Sequence, residues 1–224
     1  MIKHISFDLW LTLIKSHPEF KEKRAEFLQK AFNPAGFSVG QIMEIVQNTD
    51  KVSDRLNEIS GGKVPTNQMY RRILQQLGND TELISDRLLT QIKSEIHDMF
   101  MHFLPGFLNP GITQMLHILN GEGYTLNISS NTGFIEGSTI AKTLKQLGIS
   151  EYFVFCVFSD EIGASKPSPR FYGNVFDKVN VAKEEVLHVG DNFKADYEGA
   201  IKYGFSALHI NNQQYTIDDI KRYL

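Results

Sequence analysis

One apolar, β-branched run stands alone at the start of the chain, and every other strand-like run lies in the second half. Ile2–Phe7 reads as a buried strand. Residues 17–102 carry only helical periodicity interrupted by glycines. Alternation then begins: Tyr124–Ile128, Phe153–Phe158, Val186–Val189 and Phe205–Ile210 read as strands. Between them, Gly137–Leu147, Pro169–Val179 and Phe193–Tyr203 read as helices. A parallel neighbour needs a crossover, so this alternation predicts a parallel sheet with helices on both faces. The expected fold class is α/β, a doubly wound parallel sheet. The expected domains are a core of residues 1–16 and 103–224 and a helical insertion of residues 17–102.

The insertion reads as four helices. Phe20, Arg24, Phe27, Leu28 and Ala31 fall on one face of the first. Ser38 starts the second, with Ile42, Ile45, Val46, Val52, Leu56 and Ile59 expected inward and Gly61-Gly62 as its stop. Tyr70, Ile73, Leu74 and Leu77 mark the third, which ends at Gly78. Leu88, Ile92, Ile96 and Met99 mark the fourth. Two Pro-Gly pairs in Leu104–Gly111 predict a hinge where the chain re-enters the core. Asn109 is the expected cap of the next helix, with Pro110 at its first position. Thr216 is a cap for a short last helix.

Composition narrows the partners. The chain is 42% hydrophobic and 11% aromatic, enough for a substantial core. A net charge of −3 leaves no surface for a phosphate backbone. The one basic run, Lys21–Arg24, reads as a solvated helix face, so nucleic acid is excluded as a partner. Cys156 is the single cysteine, which rules out an internal disulfide; its apolar run predicts a buried thiol. No run approaches membrane-spanning length and no signal peptide is evident, so no membrane partner and a cytoplasmic location are expected.

Polar groups gather where four strands end. Asp8 closes the first, with Thr12 one turn later. Ser129-Ser130-Asn131-Thr132-Gly133 follows the second. Lys166, in Lys166-Pro-Ser-Pro169, follows the third, and Gly190-Asp191 with Asp196 follows the fourth. Ligands of open α/β sheets collect beyond these carboxyl ends. Taken singly, each cluster also fits an ordinary turn, helix cap or solvated lysine. Together they supply a carboxylate nucleophile, hydroxyl and amide anchors, a fixed cation and hard oxygen ligands.

Asp8-Leu-Trp-Leu-Thr12, Ser130-Asn131, Lys166 in K-P-x-P, and Gly190-Asp191 with Asp196 resemble, in that order, the motifs of the haloacid dehalogenase-like (HAD) superfamily of hydrolases. Glu198-Gly-Ala200 with Gly204 adds to the likeness. The position and helical character of residues 17–102 resemble the C1-type cap of subfamily I. The resemblance implies covalent catalysis by Asp8 on a small phosphorylated metabolite, with an aspartyl intermediate hydrolysed by water. It implies Mg²⁺ held by Asp8, the backbone carbonyl of Trp10 and Asp191, with Asp196 acting through water or by orienting Lys166. Lys166 is the second catalytic residue. Thr12, Ser130, Asn131 and Lys166 are the substrate-binding residues, and the cap is expected to close over the site.

Trp10 departs from the pattern. Phosphatases of the superfamily place an aspartate there, which protonates the leaving group and later activates water. An indole N–H is no acid near neutral pH and accepts nothing. Leu11 stands where a glycine is usual. An aromatic residue at position 10 resembles the 2-haloacid dehalogenase branch, which works without metal, whereas Gly190-Asp191 does not. Three readings follow: a Mg²⁺-dependent phosphohydrolase, slow or limited to good leaving groups; a carbon–halogen hydrolase; and a Mg²⁺- or phosphate-binding protein that has lost turnover.

Overall fold

A computed structural model describes residues 1–210 and 215–224. Strands β1 (His4–Phe7), β4 (Thr125–Ser130), β5 (Phe153–Phe158), β6 (Val186–Gly190) and β7 (Ser206–His209) form one parallel sheet in the order β5-β4-β1-β6-β7. The chain winds from β1 outward through β4 and β5, then returns to β6 on the other side. The order therefore reverses between β1 and β6, where a crevice opens at the strand ends. Asp8 and Asp191 flank that crevice, one residue beyond β1 and β6.

A second, antiparallel pair joins β2 (Ile14–Lys15) to β3 (Gly106–Phe107), with Ile14 opposite Phe107. These strands are the two connections between the sheet and the inserted helices α1 (Phe20–Phe32), α2 (Val39–Ser60), α3 (Thr66–Gln76) and α4 (Asp86–His102). The remaining helices are α5 (Ile112–Gly121), α6 (Gly137–Gln146), α7 (Ser159–Ile162), α8 (Pro169–Phe176), α9 (Gly199–Tyr203) and α10 (Ile217–Lys221). Among the described residues no helix is long and apolar enough to cross a membrane.

Period-2 alternation divides the central strands. Ile5, Phe7, Leu126, Ile128, Leu187 and Val189 belong to the larger core, which continues into the inserted helices. The opposite face carries His4, Ser6, Asn127, Ser129 and His188, all buried. It lies against Tyr172 and Phe155: the Tyr172 ring meets His188 edge-on at 5.5 Å and Phe155 stacks on His4 at 5.7 Å.

Several local expectations are corrected. In α1 the buried residues are Phe20, Ala25 and Leu28, and Ala31 faces solvent. Arg24 is not on a solvated face but packs between Phe20 and Phe134. In α2, Val52, Leu56 and Ile59 are exposed, while Thr49, Ser53 and Asn57 are buried. The polar side chains tolerate burial because they are satisfied locally. Thr49 and Ser53 donate to carbonyls one turn back at 2.9 and 2.8 Å, and Asn57 accepts from the Val64 N–H at 2.6 Å. The orientation turns Asp50, Asp54 and Glu58 toward a cleft above the sheet. α5 begins at Ile112 rather than Pro110, although Asn109 still accepts from the Gly111 N–H at 3.0 Å. β4 extends through Ser130, so both serines lie within the strand instead of the turn. Phe193–Glu198 is a π-helical turn leading into α9. Cys156 is partly buried, and burial pushes its thiol up to about 11.

Candidate active site

The turn after β1 fixes Asp8. Its N–H continues the pairing with β6 by donating to Val189 at 2.8 Å, and Leu13 and Ile14 both donate back to the Leu9 carbonyl at 2.9 and 3.0 Å. Closing so tight a turn puts Leu11 at φ 58°, in the left-handed region where a side chain crowds the backbone. The Thr12 hydroxyl then donates to Asp8 Oδ2 at 3.1 Å.

Lys166 reaches Asp8 from the loop between α7 and α8. Asn131 clamps its backbone from both sides, accepting from the Lys166 N–H at 2.8 Å and donating to its carbonyl at 3.0 Å. The ammonium spends all three donors on protein: Asp8 Oδ1 at 2.7 Å, the Ser129 carbonyl at 2.7 Å and Asp196 Oδ1 at 2.6 Å. Thr12 and Lys166 thus hold the two oxygens of Asp8 and set the plane of its carboxylate.

Asp196 sits on the π-helical turn. Its Oδ1 also accepts from His188 Nε2 at 3.0 Å, and its Oδ2 accepts from the Asn192 N–H at 2.9 Å. The Tyr172 hydroxyl pins the same turn by donating to the Ala195 carbonyl at 2.6 Å. Gly190 makes this packing possible, since a Cβ there would meet Asp196 Cγ at 2.3 Å.

One carboxylate oxygen each from Asp8, Asp191 and Asp196 lies within 4.8 Å of the others. Burial pushes the Asp8 carboxyl up to about 7, against the opposing pull of Lys166 and with the added repulsion of Asp196. Burial and the Asp196 charge raise Asp191 as well. Burial alone would raise Asp196, but the Lys166 charge and the His188 bond hold it below the usual carboxylate range. Lys166 bonds both Asp8 and Asp196, and one ammonium faces three carboxylates. The cluster keeps surplus negative charge on hard oxygen donors, a set that could hold a divalent cation.

The residues singled out in the sequence separate by position. Asp8, Trp10, Asn131, Lys166, Asp191 and Asp196 line one cleft of about 420 Å³. Thr12 and Ser130 are fully buried off it; the Ser130 hydroxyl donates to the Asn131 carbonyl at 3.3 Å. The Trp10 ring meets Phe100 of α4 edge-on at 6.1 Å. Across the cleft stand Phe20, Arg24, Asp50, Asp54 and Glu58 of α1 and α2. His188, inside the apolar run of β6, is buried and also bonded to the site. Its signal was the polar alternation of His4, Ser6, Asn127, Ser129 and His188 on one face of three buried strands.

The family model of the haloacid dehalogenase-like hydrolases matches residues 2–204. The chain belongs to that family. It is 26% identical over 221 residues to a glyceraldehyde 3-phosphate phosphatase of Methanopyrus kandleri, covering 96% of this chain and 86% of that one. A shorter match, 34% over 106 residues, covers 46% of this chain and 45% of a glyceraldehyde 3-phosphate phosphatase of Methanothermobacter thermautotrophicus. Among solved structures, a HAD phosphatase from Thermococcus onnurineus shares the fold with a TM-score of 0.68 at 20% identity, covering 99% of this chain and 97% of that one.

Proposed function

We propose that this HAD hydrolase is a phosphohydrolase that requires Mg²⁺ and acts on a small phosphorylated metabolite through an aspartyl-phosphate on Asp8. The observation that carries the reading is Asp191. It adds a third carboxylate to the cluster and forms no ion pair among the described residues, so the site gains charge that a bound cation would offset. Asp8, Asp191 and the Trp10 carbonyl would hold Mg²⁺, with Asp196 behind them. Bound there, the ion would remove the repulsion between a carboxylate and an anionic phosphoester.

The protein groups have distinct tasks. Asp8, oriented by Thr12 and Lys166, attacks phosphorus as the bond to the leaving oxygen breaks; water then hydrolyses the acyl phosphate and frees Asp8. The Lys166 ammonium stabilises charge on the reacting groups without moving, because Asn131, Ser129 and Asp196 already fix it. Trp10 offers no proton to the leaving group, which restricts fast turnover to esters that depart as stable anions. Residues 17–102 act as the cap of residues 1–16 and 103–224, with β2 and β3 as the hinge, and their closure excludes water. The names of the curated relatives support a phosphorylated substrate.

The test is phosphate release from acetyl phosphate and p-nitrophenyl phosphate, with Mg²⁺ and with chelator, beside Asp8→Asn. Release that needs Mg²⁺ and vanishes in the variant supports the reading. Release that persists in Asp8→Asn overturns the nucleophile. Trp10 favours a second reading, carbon–halogen hydrolysis, because a halide leaves unprotonated; chloride release from 2-chloropropionate without phosphate release would select it.

A further inference from the structure

We propose that Arg24 makes the cleft selective for phosphoesters whose leaving group carries a carboxylate. The inference rests on the phosphohydrolase reading and names the substrate class. Arg24 lines the cleft opposite Asp8 and Lys166. Its guanidinium carbon lies over two aromatic rings, 5.3 Å from the Phe20 centroid on α1 and 4.8 Å from the Phe134 centroid beyond β4. Its N–H groups form no hydrogen bond or ion pair with any described residue. A planar fork that packs on aromatic rings and has no acceptor among the described residues can receive a planar anion in bidentate fashion.

The neighbours agree. The Tyr70 hydroxyl, on which the Arg24 charge acts, is buried and has no hydrogen-bond partner among the described residues. Its ring packs on Phe134 at 5.2 Å. Tyr70 is fully buried behind the cleft wall, so Arg24 is the donor of this pair that a ligand in the cleft would meet. Burial pulls the guanidinium below its ordinary range, the sign of a desolvated cation, with Tyr70 and Asp50 opposing the shift. The Asp50 charge acts on Arg24, but no acid of α2 forms an ion pair with it among the described residues, and Glu58 is committed to Lys194 at 2.8 Å. The same wall also carries Lys21, so charges of both signs line it beside Arg24. The phosphoryl group must sit on Asp8, on the sheet side. A carboxylate on the leaving group is the anion that reaches across.

The test uses two non-hydrolysable ligands of similar shape, 3-phosphonopropionate and propylphosphonate, with Mg²⁺ present. Binding is read from the emission of Trp10, the single tryptophan of the chain, which lines the same cleft. The carboxylate-bearing ligand is expected to bind roughly tenfold or more tightly in the native protein, the worth of one bidentate charged contact. Arg24→Met should bring that ratio to within about threefold, and Arg24→Lys should keep only part of it. Equal affinities in the native protein overturn the proposal without need of any variant. So does an Arg24→Met protein that keeps the ratio, or one that weakens both ligands equally, which would put Arg24 on the phosphoryl group. Phosphoester hydrolysis without this discrimination sinks the Arg24 inference alone. Discrimination without phosphate release from any ester sinks the phosphohydrolase reading alone.

Discussion

His188 donates its Nε2–H to Asp196 Oδ1 at 3.0 Å, and that bond ends a polar seam running across the buried face of the sheet. An ionised Asp196 only accepts, so it orients every proton behind it. Ser6 donates to His188 Nδ1 at 3.1 Å, Ser129 to Ser6 at 2.8 Å and Asn127 Nδ2 to Ser129 at 2.9 Å. His4 Nε2 then donates to Asn127 Oδ1 at 2.8 Å, and Thr125 to His4 Nδ1 at 2.7 Å. Burial pushes both histidines below their ordinary pKa, which keeps them neutral and able to play both roles. Aligned bonds of this kind reinforce one another in a low-dielectric interior.

Removing the last donor should therefore be costly. His188→Leu is expected to lose about 1–3 kcal/mol, because Asp196 loses a partner and the Ser6 hydroxyl loses its acceptor. His188→Gln, which can donate from a similar position, should recover part of it. Urea unfolding in chelator measures both. A leucine variant as stable as the native protein would show that the seam carries no stabilisation.

Asp8 makes the metal-free fold sensitive to pH. Its carboxyl is pushed up to about 7, above its unfolded value of 3.8. Between those pH values the folded chain holds a proton that the unfolded chain has released, so this contribution to stability falls as pH rises through the window. Asp8→Asn removes the effect. In chelator the variant should gain on the native protein from pH 4 to 8, by on the order of a few kcal/mol at the upper end. Mg²⁺ should raise the native midpoint more at pH 8 than at pH 5 and do little for Asp8→Asn. Parallel pH profiles for the two proteins would contradict this.

Much of the sheet and part of the site were legible because strand ends in an open α/β sheet concentrate polar residues. Asp8, Lys166 and Gly190-Asp191 stood out against apolar runs for that reason. The second half of α2 was not legible: Thr49, Ser53 and Asn57 satisfy themselves through local hydrogen bonds, and periodicity counts only side-chain polarity. Arg24 was hidden similarly. A charge inside Lys21–Arg24 looks solvated until Phe134, distant in sequence, is folded onto it. The link from Ser6 to His188 required knowing that β6 returns beside β1.

Leu11 stores strain that glycine would relieve. At φ 58° its Cβ crowds the following carbonyl, and the side chain is 47% exposed, so little burial offsets the cost. Leu11→Gly is expected to stabilise the protein by up to about 1 kcal/mol, the relief in the folded state being partly cancelled by greater freedom in the unfolded one. Thermal unfolding decides the matter. A lower midpoint would mean that Leu11 makes apolar contacts across the cleft that outweigh the strain.

Trp10→Asp tests what the chemistry lacks. The indole lines the cleft beside Asp8 and leans on Phe100, so a carboxyl at this position would enter the same space. If leaving-group protonation is the missing step, the gain should depend on the leaving group. An alkyl phosphate, whose alkoxide must be protonated, should speed up by as much as about 10²–10⁴-fold, the usual worth of a general acid. Acetyl phosphate, which departs as a stable carboxylate, should change far less. The variant should also be less stable, since it loses an aromatic contact and adds a fourth carboxylate to a crowded cluster. Mg²⁺ should restore part of that loss. Equal acceleration of both esters would point to a wider cleft rather than to a new acid. No acceleration in a folded variant would place the barrier elsewhere, with Leu11 the next residue to change.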